Sequence, residues 1–176
     1  MAGMELDRVI EELGRRLFGK YRGKVVDNRD PQNLGALKVV VPTILGTKQV
    51  WADPCVPYAG KEVGLFALPP VDAGVWIEFE AGWRDHPIWV GCYWEKGEIA
   101  AADAGPDIAF LRTKGGSIRI EESGTIEIET AGGAKITMSG TEIAFEAPSI
   151  KSSANGGETA LSAGGFDAMN GALKVV

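Results

Sequence analysis

The sequence is poor in the residues that carry most enzyme chemistry. It has one histidine, His86, and two cysteines, Cys55 and Cys92. A Ser-His-Asp triad has no base to draw on except His86, which lies between Asp85 and Pro87 in a turn-like stretch. The cysteines are not in CxxC spacing and have only that histidine for company, which argues against a zinc site. Each cysteine sits in an apolar, strand-like context, so buried free thiols are the plain expectation and a disulfide between them the alternative. There is no excess of positive charge. Eighteen Lys and Arg against twenty-four Asp and Glu leave a net charge of −6, which argues against a phosphate-binding surface and hence against nucleic acid. No apolar run approaches the ~18 residues of a membrane-spanning helix. The first residues, Met1 to Met4 followed by charge, do not read as a signal peptide, so synthesis in the cytoplasm is expected. No metal, cofactor or enzymatic activity is expected.

Glycine, by contrast, is plentiful. Twenty-four glycines in 176 residues favour a turn-rich β protein. Between Lys114 and Ser152 they mark a repeat. Ile118 and Ile120, Ile126 and Ile128, Ile136 and Met138, Ile143 and Phe145, and finally Ile150 follow successive small turns. The first apolar residues of these units are 8, 10, 7 and 7 apart. Within the units apolar residues alternate with Arg119, Glu127, Lys135, Thr137, Glu146 and others, which predicts strands with one apolar and one wet face. Each strand offers only two or three apolar side chains, too few for a two-layer core. Either the strands form a meander packed elsewhere on the same chain, or copies of the chain wind about one axis and bury these residues between them.

Upstream, residues 4–18 predict a helix. Leu6, Val9, Ile10, Leu13 and Leu17 share one face, with Glu5, Asp7, Glu11 and Glu12 early and Arg15, Arg16 and Lys20 late. Such a helix either covers one end of the following domain or docks on a neighbouring subunit. Five strands are then expected, over residues 21–28, 36–41, within 60–68, 75–80 and 86–94. Residues 50–58 form a looser segment. Five short strands with a long middle connection suit a small Greek-key barrel of the OB type. Trp51, Phe66, Trp76, Phe79, Trp89, Tyr93 and Trp94 supply core volume. Glu78 and Glu80 lie two apart on one strand face, a geometry that could imitate a glycosidase carboxylate pair, but solvated strand charges are far commoner. Residues 97–106 are rich in Ala, Asp and Gly and read as a linker. The organisation expected is a helix over 1–19, a barrel over 20–96, the linker, and a repeat with its tip over 107–176. Residues 171–176 repeat the types of residues 35–40, GALKVV, which reads as coincidence.

The runs YRGKVVDNRDPQNLGALKVVVP (21–42), WADPCVPYAG (51–60) and GLFALPPVDAGVWIEFEAGWRDHPIWVGCYW (64–94) resemble the OB domain of phage baseplate assembly protein V and VgrG-type spikes. The resemblance continues in kind into the repeat. It implies an all-β homotrimer in which a helix and a five-stranded barrel are followed by an intertwined triple-stranded β-helix, or prism. Ile118, Ile120, Ile126, Ile128, Ile136, Met138, Ile143, Phe145 and Ile150 would form its axial core. It further implies the central spike of a contractile injection machine, capping the inner tube of a phage tail-like baseplate and piercing the target envelope. The short helix leaves no room for the large hub region of VgrG-type proteins, so a separate hub protein is implied. The ~10-residue linker is too short for the lysozyme domain some spikes carry. Without a His-x-His pair, a metal-bearing apex gives way to a separate PAAR-like tip protein. An OB-type carbohydrate- or ligand-binding module and an envelope-degrading enzyme are the rival readings.

Overall fold

The computed structural model describes the backbone of residues 2–175 and the side chains of residues 7–175. The chain divides into two compact units, residues 1–98 and 99–176.

The first unit opens with helix α1 (Ala2–Gly14). Strands β1 (Tyr21–Asp27), β2 (Leu37–Val40), β3 (Gln49–Pro54), β6 (Gly74–Phe79) and β7 (Pro87–Tyr93) close into a barrel in the order β1-β2-β3-β7-β6. A four-residue helix, α2 (Pro42–Leu45), joins β2 to β3. A two-residue hairpin, β4 (Ala59–Gly60) and β5 (Val63–Gly64), stands in the long connection from β3 to β6. Neighbouring barrel strands run antiparallel except β3 and β7, which are parallel through Asp53–Ile88 and Pro54–Trp89 and so close the ring. Closure leaves no free barrel edge.

Alternation decides what fills the barrel. Val25, Leu37, Val39, Ala52, Val75 and Ile77 point inward and are fully buried, with Phe79 and Trp89 beside them. Between them Lys38, Trp76 and Glu78 lie on the wet face, only half-buried. Trp89 is the one large amphipathic group of that core, and its indole N–H donates to the Gly35 carbonyl at 3.1 Å. The turn carrying Gly35 is tied by Asp30, whose carboxylate accepts from the backbone N–H groups of Gln32, Leu34 and Ala36 at 2.9, 2.7 and 3.2 Å. These amides, Gln32 first, hold the Asp30 carboxyl below its ordinary range. Asn33 and Gly35 both take positive φ there, which suits Asn and Gly.

Two expectations are corrected here. The third barrel strand is Gln49–Pro54, not a segment within 60–68, which supplies only the small hairpin. The strand was hard to see because Ala52 is its one buried residue and Pro54 ends it. Both thiols are also free and exposed rather than buried. Cys55 follows the end of β3, and Cys92 lies beyond the irregularity in β7 pairing near Val90.

Helix α1 ends earlier than the sequence periodicity predicts, and only the chain after it reaches the barrel. Leu17 packs on the core, and its N–H donates to the Gly82 carbonyl at 2.9 Å. Arg16 donates to the Ala81 carbonyl at 2.9 Å and stacks 3.3 Å from the centre of the Trp83 ring. Val9, Ile10 and Leu13 stay exposed, so the helix does not cover the barrel end with its apolar face. Leu6, assigned to the same face, lies outside the residues whose side chains are described, as does Glu5.

The second unit holds two antiparallel meanders. One is β8 (Ile108–Thr113), β9 (Gly116–Glu121), β10 (Ile126–Thr130), β11 (Lys135–Met138) and β12 (Ile143–Glu146); the other is β13 (Ser149–Ala154), β14 (Gly157–Ser162), β15 (Gly165–Ala168) and β16 (Leu173–Val175). Each repeat unit of the sequence is therefore one strand. Within one chain consecutive strands pair through short turns, so the chain itself lays them out as sheets, not as a wound β-helix. The GALKVV of residues 35–40 becomes a barrel strand, while Leu173–Val175 is an exposed edge strand and Val176 lies outside the described residues.

Leu37→Ala removes a fully buried barrel side chain and is expected to destabilise the first unit by about 2–5 kcal/mol. Lys38→Ala, on the neighbouring wet face, is expected to change it by under about 0.5 kcal/mol. Urea unfolding followed by tryptophan fluorescence checks both; equal effects would contradict the inward assignment.

Candidate assembly surface

The register of the five-stranded meander sorts its side chains completely. Leu111 opposes Ile118, Ile118 opposes Ile128, Ile128 opposes Ile136, and Ile136 opposes Phe145. One step along, Ala109, Ile120, Ile126, Met138 and Ile143 make a second row on the same face. Ten apolar residues from five strands thus share one face, since opposed residues and residues two apart point the same way. Such a face is expected against a core, yet Ile143 and Phe145 are 61% and 56% exposed, and Leu111, Ile118, Ile120 and Ile128 are exposed too. Nothing in the described chain covers this face.

The reverse face carries the charge. Arg119, Glu127 and Thr137 form one row, and Ser117, Glu129, Lys135 and Glu146 another. Lys135 reaches Glu146 at 3.3 Å and Glu127 at 3.6 Å. Glu146 first, then Glu127, raises the Lys135 ammonium above its ordinary value. These pairs are only part-buried, so they fix side-chain order more than they stabilise.

Eight of the nine residues predicted for the core lie on the apolar face: Ile118, Ile120, Ile126, Ile128, Ile136, Met138, Ile143 and Phe145. The ninth, Ile150, belongs to the second meander, where it opposes Leu161 in a row continued by Phe166 and Val175. Leu111, Leu161 and Phe166 were not foreseen. Ile108-Ala109-Phe110-Leu111 is apolar throughout, so alternation gave no signal at β8. Only pairing with β9 reveals which of its residues share the face.

The segment expected to be a linker also carries structure. Asp103 is only 8% exposed, and it accepts from Arg112 at 2.6 Å and from Arg119. Arg119 also donates to Glu121 at 3.0 Å. Arg112 first, then Arg119, holds the Asp103 carboxyl below its ordinary value of 3.8. The linker segment is therefore clasped to the charged face at β8 and β9.

The residues weighed for catalysis are scattered. His86 is an exposed turn residue 3.8 Å from Glu80, and Glu78 pairs with Lys20. Among the described residues, no group of three or more His, Cys, Asp or Glu is placed to hold a metal, and no helix is long and apolar enough to cross a membrane.

The five-stranded barrel, in the order β1-β2-β3-β7-β6, has a counterpart among known families. Residues 21–94 match the family described as the type VI secretion system/phage-baseplate injector OB domain. This segment is similar to that domain family. The match begins at the first residue of β1 and ends one residue after β7, so it covers the whole barrel. No curated protein matches the chain. The resemblance read from the three sequence runs is borne out, and with it a baseplate-related structural role.

The clasp makes a pH prediction. Because the folded Asp103 carboxyl is depressed, its stabilisation is complete above the ordinary value of 3.8 and is lost only as pH falls below it through the depressed value. Asp103→Asn is therefore expected to raise proteolysis at residues 97–106 at neutral pH, with the difference from the parent shrinking in strong acid. A stability difference that grows toward low pH would contradict the assignment.

Proposed function

We propose that the chain is the central spike of a contractile injection machine, a homotrimer in which three copies close their apolar meander faces about a common axis. The observation that carries this reading is the ten-residue apolar face left uncovered by the chain itself, in a protein whose barrel is similar to a baseplate injector domain family. Strands of four to six residues make walls too narrow to bury that face by curling on themselves. Three walls back to back enclose a dry prism and leave the charged rows in water. Burial at ~25 cal/mol per Å² would then be the main source of stability, and it is lost only by separating the copies.

The role in this reading is mechanical and not enzymatic. The barrel sits at the tube end with a separate hub protein, the prism projects toward the target envelope, and the second meander ends where a PAAR-like tip protein seats. Sheath contraction supplies the work; the spike supplies stiffness. The particle is phage tail-like, and the partners are inner tube and baseplate proteins. The binding-module reading is less well supported, because it leaves the exposed apolar face of the meander without a purpose.

Ile128→Asp places a charge in the centre of the proposed prism and is expected to abolish trimers in sedimentation velocity. Glu127→Ala, one residue away on the charged face, is expected to leave them intact. A stable trimer in the Ile128→Asp protein would overturn the axial core.

A further inference from the structure

Asn-Gly occurs twice in the sequence, at Asn155-Gly156 and Asn170-Gly171, both in the second meander. Asparagine is chemically labile, because the main-chain nitrogen that follows it can attack its side-chain carboxamide. A following glycine favours the attack, since it has no side chain to stand in the way. Both asparagines are exposed, so access to water does not tell them apart. Their hydrogen bonds do.

Asn155-Gly156 is the two-residue loop of the β13–β14 hairpin, set between the opposed Ala154 and Gly157. Both residues take positive φ, 49° and 85°, as tight hairpin loops require. Among the described residues, neither the Asn155 carboxamide nor the Gly156 N–H has a hydrogen-bond partner. The space beside Gly156 is open, with no heavy atom within 4 Å of where a Cβ would stand.

Asn170-Gly171, in the turn from β15 to β16, is tied at each reacting group. Asn170 Oδ1 accepts from the Glu158 N–H at 3.0 Å, and Nδ2 donates to the Gly156 carbonyl at 2.9 Å. The Gly171 N–H, which would be the attacking nitrogen, donates to the Asp167 carboxylate at 2.7 Å. Reaction at Asn155 needs only flexing of its own turn. Reaction at Asn170 must wait for a local opening that breaks all three of these bonds.

We infer that Asn155 is a site of spontaneous deamidation in the folded protein, while Asn170 is held unreactive. The Gly156 nitrogen loses its proton and bonds to Cγ of Asn155; the Cγ–Nδ2 bond breaks and ammonia leaves. The product is a cyclic imide. Water then opens it, at Cγ to give aspartate, or at the main-chain carbonyl to give isoaspartate, in which the chain runs through Cβ and Cγ. Either product adds a negative charge to a chain already at −6. Isoaspartate also lengthens a loop of two residues and displaces the Gly156 carbonyl, so the first conversion loosens the hold on Asn170. The inference stands on the second meander alone and does not depend on the spike reading.

The test is incubation of the full chain in mildly alkaline buffer, followed by peptide mapping with mass spectrometry that separates aspartate from isoaspartate. Cleavage after Glu158 puts the two sites on different peptides. Asn155 is expected to convert at least about tenfold faster than Asn170 at early times, the factor set by an opening that breaks several hydrogen bonds. In urea, where those bonds are gone, the two rates should converge. Equal rates in the native chain, or a faster Asn170, overturn the inference. A difference that persists unchanged in urea overturns it as well, since neighbouring residues and not the fold would then be its cause.

Discussion

An antiparallel sheet of short strands places two or three side chains per strand on each face, and it cannot hide either face by itself. In the β8–β12 meander one face is apolar from end to end, and this imbalance governs the rest of the molecule. Turns hold the strands in register, cross-strand charge pairs order the reverse face, and the Asp103 clasp fastens the incoming segment to that same charged side. Each of these devices works on the wet face. In the proposed trimer the dry face is satisfied by other copies.

The barrel solves the same problem differently. Its strands also alternate, but the parallel pairing of β3 with β7 bends the sheet into a ring, and Leu37, Val39, Val75 and Ile77 meet across the interior of one chain. One chain thus contains a unit with an internal core and a unit that leaves an apolar face exposed. That division suits the proposed spike, in which the barrel folds on its own and the meander is shared with neighbouring copies. In the proposed trimer, loss of the shaft would require all three copies to separate, which would place its resistance to load in the assembly and not in any single chain.

Much of this was legible in the sequence because period-two alternation survives wherever one face is wet. Four barrel strands and the common face of eight of the nine residues assigned to the axis came from it. Reading failed where alternation failed. Gln49–Pro54 has a single buried residue, so it looked like a loop, and the all-apolar run at Ile108–Leu111 hid Leu111. The cysteines looked buried because their neighbours are apolar, yet position relative to strand ends decided their exposure. The Asp103 clasp was invisible for another reason: it joins residues 9 and 16 positions apart through side chains whose facing is set only by the β8–β9 register. Helix periodicity in α1 was read correctly in kind, but it could not say whether the stripe faces the barrel or turns away from it.

The most direct test of the account is the solution mass of the unmodified chain, by light scattering after size exclusion. Three copies of 18.7 kDa give roughly 56 kDa, and the account predicts that mass without concentration dependence. A compact monomer near 18.7 kDa would contradict it, since ten apolar side chains would then face water with nothing to cover them.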